Sequence, residues 1–344
     1  MLRPTTSAPA LRLAWRFGVG LATTLATGAI GILAGPRYRF GPPAPTPREL
    51  PPSALGKLDA WVARQESAYS DIRPGTNKQI TWQAKRKRRT PWAVVNIHGF
   101  SASRMETAPV AEILAEALGA NRFDTRLCGH GRDGDAMAEA TPQDWLADTL
   151  EAARIGRALG DRVLMVGTST GATLETWLAL QPNLIGADAY VFISPNFGAK
   201  DPRSQIAYLP WGLQIIHAVF GETRDSPSDN PRIHEAFTTS YPFKSLFTML
   251  GLVKQVSAMD LAAFRSPVLV LYSERDQVIS VAALKKAFAQ IGSIQKDIRA
   301  IDYSTDGNQH VLAGEIRSPE SVEPLTQTIL EWLKRVSFPP LSHR

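Results

Sequence analysis

The sequence contains a single cysteine, and this scarcity excludes several kinds of chemistry. Cys128 alone cannot form an intramolecular disulfide, a pair of redox-active thiols or a cluster of thiolates around a metal ion. The spacing His-Glu-x-x-His of zinc proteases and the glycine-lysine motif of a P-loop are also absent from the chain. We therefore expect no metal ion, no nucleotide and no other cofactor.

Acidic residues are missing from the first 40 residues, which contain five arginines. The formal net charge of the whole chain is +6, so the residues after 40 carry only +6 − 5 = +1. The local excess there is the basic run 85–89, between two predicted strands, which we expect to be a solvated hairpin loop. Contact of this run with anionic lipid head groups remains an alternative. This distribution of charge argues against a nucleic-acid partner.

Residues 17–35 contain no charged side chain and follow three arginines, a pattern typical of an export signal or a membrane anchor. The stretch is just long enough to cross a bilayer, so within residues 1–40 we expect a retained single-pass anchor rather than a cleaved signal. The Pro-rich residues 41–52 predict an extended tether. This organisation predicts a protein of the cell envelope, anchored to the membrane or exported to the periplasm.

Strand-like and helix-like segments alternate along residues 53–344, which we expect to form one α/β domain. The apolar runs 93–97, 189–193 and 268–272 predict strands, and amphipathic segments between them predict helices. Such alternation predicts a mostly parallel sheet with helices on both faces. Residues of about 198–264 interrupt the alternation with many aromatic side chains. We expect this insertion to form a cap above the carboxyl ends of the strands, where open α/β sheets bind ligands.

A nucleophile elbow is predicted at residues 163–171. The apolar run 163–166 predicts a buried strand, residues 172–180 predict a helix, and the turn Gly-Thr-Ser-Thr-Gly joins them. In a Gly-x-Ser-x-Gly turn of this kind the serine has a strained backbone, and a side chain on either glycine would collide with a neighbouring element. We therefore expect Ser169 to be a catalytic nucleophile.

A serine hydroxyl needs an adjacent base, and the base needs an acid that orients it. Elbow proteins present these groups in the chain order Ser, Asp or Glu, His, each on a loop after a strand. Of the six histidines, His310 is the one that follows the later predicted strands and precedes the last predicted helix, so we expect it to be the base. Asp276 follows the predicted strand 268–272 and is the expected acid, with Glu274 in the same loop as its competitor.

The developing oxyanion needs two backbone N–H donors. One is expected from Thr170, directly after the nucleophile, and the other from Phe100, in the loop that follows the predicted strand 93–97. His98, in the same loop, is expected to have a structural role and not to act as a base.

Several ordered motifs resemble those of bacterial carboxylesterases and monoacylglycerol lipases, a group of α/β-hydrolases. Besides the elbow, they are Asn-Ile-His-Gly-Phe-Ser-Ala-Ser (96–103), Leu-Cys-Gly-His-Gly (127–131), Gln-Asp-Trp-Leu (143–146), the acid loop 273–278 and the histidine loop 308–311. The resemblance extends over about residues 75–335. It implies the α/β-hydrolase fold and a triad of Ser169, Asp276 and His310.

The resemblance also implies that the Gly-His-Gly turn at 129–131 is structural, and we assign no catalytic role to His130. The chain departs from the group on both sides of the nucleophile. Thr170 replaces the usual methionine or glutamine, and Thr168 is uncommon at its position. Because the oxyanion needs only the backbone of Thr170, these departures concern the shape of the pocket and not the presence of activity.

The leading hypothesis is a serine hydrolase that cleaves carboxylic esters, such as acylglycerols or lysophospholipids, through an acyl-enzyme. A thioesterase or an aminopeptidase would use the same triad. An aminopeptidase should place acidic residues in the cap, and Glu222, Asp225, Asp229 and Glu235 are present there. A third possibility is a non-catalytic binding or scaffold module of the envelope. The usual mark of such a module, loss of a triad member, is not found in this sequence.

Overall fold

The structure, a computed structural model, describes residues 34–340. Its centre is a seven-stranded sheet in the order β1-β3-β2-β4-β5-β8-β9, parallel except for β1, which pairs antiparallel with β3. The strands are β1 Gln79–Thr81, β2 Thr90–Ile97, β3 Asn121–Asp124, β4 Gly160–Thr168, β5 Ala189–Ile193, β8 Val268–Tyr272 and β9 Lys296–Ala300, and a separate antiparallel pair consists of β6 Thr223–Asp225 and β7 Ser240–Pro242.

Helices connect the strands. The α-helices are α1 Leu55–Glu66, α2 Val110–Leu118, α3 Gly134–Glu139, α4 Pro142–Leu159, α5 Thr170–Ala179, α6 Gly212–Phe220, α7 Pro231–Ala236, α8 Phe243–Ser257, α9 Val281–Gln290 and α10 Val322–Arg335, and 3₁₀ turns occur at Pro202–Tyr208, Leu261–Ala263 and Pro319–Ser321. Helix α4 begins with two strong local signals: Thr141 and Asp144 form a capping box, and Pro142 is the first helical residue.

The sheet separates two apolar layers, because successive side chains of a strand point to opposite faces. In β2, Val95 belongs to a cluster that includes Trp177 of α5, whereas Val94 belongs to a second cluster that includes Leu114 of α2 and Leu325 of α10. The central strands are therefore buried on both faces, as parallel strands usually are. The predicted α/β-hydrolase fold class, a mostly parallel sheet with helices on both faces, is confirmed.

The basic run 85–89 connects β1 to β2, but these strands are not neighbours, because β3 lies between them. The predicted hairpin at this point is therefore wrong, although most of the run is exposed as expected. Lys87 pairs with Asp59, and Arg89 pairs with Asp161.

The long insertion predicted at about 198–264 contains α6, α7, α8 and the small β6–β7 sheet, all between β5 and β8. Residues 41–52 form neither helix nor strand and run along the body of the protein. Trp177 donates a hydrogen bond to the carbonyl of Pro43 (3.0 Å), and the Thr46 N–H donates to the carbonyl of Gln143 (3.0 Å). The tether and the domain boundaries stay predictions.

The predicted localisation is wrong. Within residues 34–340 no helix is both long enough and apolar enough to cross a membrane. The anchor was predicted at residues 17–35, and all but the last two of these lie outside the described residues. That prediction depended on the absence of charge, whereas the glycines, alanines and threonines of this stretch favour membrane insertion much less than leucine or isoleucine does. The sequence pattern therefore does not establish an anchor or an envelope location.

Glu175 of α5 is an uncompensated carboxyl group in the core. It is fully buried, and within residues 34–340 neither of its carboxyl oxygens has a hydrogen-bond partner. Burial raises the pKa of Glu175 well above its ordinary value, because a charge without a partner is unfavourable in an apolar interior. Burial therefore favours the protonated, neutral form of Glu175 in the folded protein.

This state makes stability depend on pH. Above the ordinary glutamate pKa the unfolded chain releases a proton that the folded state keeps, so the free energy of unfolding falls as pH rises. We expect the stabilisation gained from Glu175→Gln to be larger at about pH 8 than at about pH 5, by about 1 kcal/mol or more. Urea unfolding at the two pH values measures this difference. Glu116→Gln, at an exposed position of α2, is the control that should show no such difference.

Candidate active site

Ser169 lies on the turn between β4 and α5 with φ 52° and ψ −112°, a conformation that side chains rarely adopt. Its N–H donates to the carbonyl of Ile193 in the neighbouring strand (2.8 Å), which holds the strained residue in place. A side chain at Gly171 would collide with the carbonyl oxygen of Ile97, and one at Gly167 would lie 2.7 Å from the nitrogen of Ala172. The sequence of the turn therefore permits the geometry of a nucleophile elbow.

Asp276 and His310 meet in a buried hydrogen bond, with His310 Nδ1 2.8 Å from Asp276 Oδ2. The other carboxylate oxygen of Asp276 accepts the N–H groups of Val278 (2.7 Å) and Ile279 (3.0 Å). These three bonds fix the carboxylate, which in turn fixes the imidazole ring and leaves its Nε2 free for proton transfer.

The competing acid Glu274 lies elsewhere. It pairs with Lys285 on the surface (2.6 Å) and accepts the hydroxyl of Tyr272 (2.7 Å). Its side chain is 53% exposed, whereas that of Asp276 is completely buried. The structure therefore brings Asp276, and not Glu274, to His310.

The electrostatic surroundings of His310 favour its protonated form. Burial by itself would lower the pKa of the imidazole, but the hydrogen bond and charge of Asp276 outweigh it and raise the pKa above the ordinary value. The charges of Glu106 and Asp306 act in the same direction. A base arranged in this way can accept a proton and hold the resulting charge.

Two residues that the sequence analysis did not single out position the histidine loop. One carboxylate oxygen of Asp306 accepts the N–H groups of His310 (3.0 Å) and Val311 (3.1 Å). The hydroxyl of Ser194, directly after β5, donates to the carbonyl of His310 (2.7 Å). Neither residue lies in a motif. Ser194 reaches His310 across the fold, whereas Asp306 acts within the histidine loop itself.

The predicted oxyanion donors, Phe100 and Thr170, lie beside Ser169 in one cavity. Thr170 is the first residue of α5, so its N–H has no acceptor within the helix and is available to a substrate oxygen. Phe100 lies in the loop after β2. His130 supports this loop, because its Nε2 accepts the N–H of Ser101 (3.0 Å). The structure thus gives His130 a structural position, as the resemblance implies.

His98 is also a structural residue. Its Nε2 accepts the N–H of Leu127 (3.2 Å), and its Nδ1 lies 2.8 Å from the carbonyl of Gly99. Burial lowers the pKa of His98 to about 4, so it stays neutral. A neutral ring with both nitrogens occupied cannot serve as the base.

Backbone strain is concentrated around this site. Five non-glycine residues of the described chain have positive φ, and four of them surround the elbow: Ser101, Ser169, Ser194 and Gln309. Ser101 follows the predicted donor Phe100, and Ser169 is the predicted nucleophile. Ser194 contacts the histidine loop, and Gln309 belongs to it. Strain of this kind persists only where surrounding contacts impose it, and it is typical of functional sites.

Ser169 and His310 open into a cavity of about 730 Å³ beneath the β5–β8 insertion. Its apolar wall comes largely from this insertion and includes Ile216, Phe220, Phe237, Tyr241, Leu246 and Phe247. Thr170 also lines the cavity. Within residues 34–340 no group of three His, Cys, Asp or Glu side chains could hold a metal ion.

The sheet order, the elbow after β4 and the buried Asp–His pair define an α/β-hydrolase of the serine hydrolase type. The sequence matches the family described as serine aminopeptidase, S33, over residues 88–305, more than half of the chain. The chain belongs to this family.

Individual proteins agree with this assignment. A thermostable monoacylglycerol lipase from Bacillus sp. (strain H-257) is 28% identical over 209 residues, which make up 60% of this chain and 80% of that protein. A metagenome-derived lipolytic enzyme superposes with a TM-score of 0.63 at 21% identity, covering 77% of this chain and 100% of that one. A soluble variant of monoglyceride lipase from Saccharomyces cerevisiae gives 0.56 at 12% identity, covering 75% and 91%.

At such identities the two superpositions establish the fold alone. The family match and the Bacillus relative confirm the predicted resemblance to the monoacylglycerol-lipase-like group and the predicted enzyme class, a carboxylic ester hydrolase. The individual catalytic roles and the substrate stay predictions.

Proposed function

We propose that the protein hydrolyses carboxylic esters with a lipid-like acyl chain through a covalent acyl-enzyme. Ser169 is the nucleophile, His310 the general base and acid, and Asp276 the group that orients His310. The observation that carries this proposal is the buried contact of 2.8 Å between His310 and Asp276 beside the elbow that presents Ser169.

The reaction follows from this arrangement. Ser169 Oγ attacks the ester carbonyl carbon, and His310 Nε2 takes the hydroxyl proton. The N–H groups of Phe100 and Thr170 stabilise the oxyanion. As the tetrahedral intermediate collapses, His310 returns the proton to the departing alcohol oxygen, and the acyl group stays on Ser169. Water then repeats the sequence, releasing the carboxylic acid and restoring the serine.

The cavity supports an apolar acyl chain as the substrate class. Aromatic and aliphatic side chains of the insertion surround the space that leads from Ser169. The Bacillus relative is named as a monoacylglycerol lipase, which agrees with such a substrate. Acylglycerols and lysophospholipids have this chemistry, and a membrane partner is not needed for it.

The aminopeptidase alternative is less well supported by the positions of the acidic residues. Glu222, Asp225, Asp229 and Glu235 are all exposed, and none of the four lines the described cavity. Asp201 of the same insertion does line the cavity, but it is paired with Arg203 (2.6 Å). Acidic side chains in these positions would not meet the amino group of a substrate bound at Ser169. Amino-acid anilides should therefore be poor substrates.

A panel of p-nitrophenyl esters from acetate to laurate tests the proposal. Each methylene that enters an apolar pocket contributes about 0.8 kcal/mol, so kcat/KM should rise about fourfold per methylene until the cavity is filled. Amino-acid p-nitroanilides, measured under the same conditions, should give no comparable rate. Faster cleavage of anilides than of every ester would contradict the proposal.

A pair of variants tests whether the acyl chain binds in the cavity. Leu246→Trp narrows the apolar wall, and we expect it to reduce activity on laurate much more than on acetate. Leu209→Trp is the matched control, because Leu209 is 49% exposed on the same insertion and does not line the cavity. An equal loss on all esters in the first variant would show that the acyl chain binds elsewhere.

A non-catalytic module is distinguished by covalent labelling. A fluorophosphonate probe should modify Ser169 in the folded protein, because the probe requires an activated serine. Peptide mass analysis locates the modified residue. Absence of labelling in a folded preparation would favour a binding or scaffold role.

A further inference from the structure

Glu106, which precedes helix α2, is a buried carboxyl group that the mechanism above does not use. It is 4% exposed and lines the same cavity as Ser169 and His310. One of its carboxyl oxygens, Oε2, accepts the N–H of Gly99 at 2.7 Å. Within residues 34–340 this is the one hydrogen bond of the carboxyl group, so Oε1 has no hydrogen-bond partner in that part of the chain.

Glu106 and the proposed nucleophile, Ser169, both lie close to Gly99. A Cβ atom added to Gly99 would lie 3.0 Å from Glu106 Oε1 and 3.3 Å from Ser169 Cβ. The carboxyl group and Ser169 therefore both lie close to the same side of one glycine, where a side chain would point. The next residue, Phe100, carries the proposed oxyanion donor. The Gly99 N–H belongs to the peptide directly before the one that carries the Phe100 N–H, so a contact that fixes the first peptide limits the orientation of the second.

The backbone around Glu106 is held in place. Its N–H donates to the carbonyl of Ser103 (2.9 Å), and the Ala102 N–H donates to the carbonyl of Gly99 (3.3 Å). A Cβ atom at Gly314 would lie 2.5 Å from the carbonyl oxygen of Glu106, so the chain after His310 approaches this loop closely. The carboxyl group is therefore presented from a fixed backbone.

Three charged groups influence the pKa of Glu106: His310, Arg317 and Asp306. Burial raises its pKa to about 7, while the Gly99 N–H and the charges of His310 and Arg317 act to lower the pKa and Asp306 acts to raise it. The interaction with His310 is mutual, because the charge of Glu106 raises the pKa of the imidazole. Arg317 is itself paired with Asp306 (3.4 Å).

We propose that Glu106 is a positioning residue for the reaction: its carboxyl group holds the Gly99–Phe100 backbone so that the Phe100 N–H faces the oxyanion. When ionised, the same carboxyl group also favours the protonated form of His310. This inference rests on the proposed function. Glu106 makes no covalent bond and transfers no proton.

The two parts of this role can be separated by chemistry. Alanine removes the acceptor and leaves the Gly99 N–H unpaired in a buried site. Glutamine keeps an oxygen that can accept this N–H but removes the negative charge. The first substitution therefore tests the orientation of the loop, and the second tests the electrostatic effect on His310.

We expect Glu106→Ala to lower kcat about 10- to 100-fold with KM changed less than about threefold, because a displaced oxyanion donor acts mainly on the transition state. Glu106→Gln should recover kcat to within about threefold of the wild type, since the acceptor is restored. In Glu106→Gln the acid limb of the pH profile of kcat/KM should move to lower pH, because His310 loses a charge that raises its pKa.

Glu175→Gln is the matched control. It also replaces a buried glutamate near the elbow, but Glu175 is not among the charges that raise the pKa of His310 and does not line the cavity. Its pH profile should coincide with that of the wild type. If Glu106→Ala does not fold, the pH profile of Glu106→Gln decides the proposal.

Full activity in Glu106→Ala, or a Glu106→Gln variant with the activity of the alanine variant and an unmoved acid limb, would overturn the inference. These outcomes differ from a failure of the proposed function. In that case the wild type itself would not cleave esters, or Ser169→Ala would keep its activity. Wild-type ester hydrolysis that depends on Ser169 but not on Glu106 would refute the positioning role alone.

Discussion

Replacement of Ser169 by alanine is expected to lower kcat for ester hydrolysis by about 10⁶-fold. The reason is that the proposed mechanism passes through a covalent acyl-enzyme, and no neighbouring hydroxyl in the strained turn could take the place of Ser169. Thr168 and Thr170 flank it, but the hydroxyl oxygens of both are inaccessible to solvent. Steady-state hydrolysis of a short p-nitrophenyl ester measures the loss, and active-site titration of the wild type provides the reference.

Ser245→Ala is the control for this experiment. Ser245 is a buried serine of α8 that does not line the cavity, and within the described chain its hydroxyl has no hydrogen-bond partner. We expect this variant to keep the wild-type rate. Substantial activity in Ser169→Ala that survives further purification would mean that the nucleophile has been assigned to the wrong residue.

The second large effect is expected from Asp276→Asn, which should lower kcat about 10⁴-fold with the fold intact. Asparagine is nearly isosteric but neutral, so it stabilises neither the correct tautomer of His310 nor the imidazolium that forms during the reaction. Because the hydrogen bond and charge of Asp276 raise the pKa of His310, the residual activity should also show an acid limb at lower pH. A pH series of kcat/KM records both changes.

Glu274→Gln distinguishes the two acidic residues of this loop. Glu274 contacts Lys285 and Tyr272 at the surface, and we expect its replacement to change kcat less than about twofold. A large loss in this variant together with a small one in Asp276→Asn would reverse the assignment. Thermal unfolding of both variants confirms that the comparison is made between folded proteins.

Local sequence signals predicted the parts of the site that depend on short-range geometry. The glycines around Ser169 are needed because neighbouring backbone approaches them closely, so the Gly-x-Ser-x-Gly pattern by itself predicts the turn. The loop order of Asp276 and His310 followed from the alternation of strands and helices.

Other features could not be predicted because they depend on which elements become neighbours. The sequence places β1 next to β2 along the chain, yet β3 lies between them in the sheet. The short β6 and β7 strands, only three residues each, carry too little pattern to be detected. Residues 17–35 show a different kind of error: their lack of charge predicted a membrane anchor that no finding supports.

The sequence by itself determined the class of this protein, because an elbow, a late acid and a later histidine form a pattern that depends on chain order. Only the tertiary structure decided which carboxyl groups reach the histidine. Asp276 and Glu106 come from loops after different strands, and they meet near His310 because parallel strands end at one edge of the sheet. Asp306, in contrast, lies in the loop of His310 itself. Glu274, only two residues from Asp276, points away to the surface because side chains in a tight loop diverge, and it pairs there with Lys285.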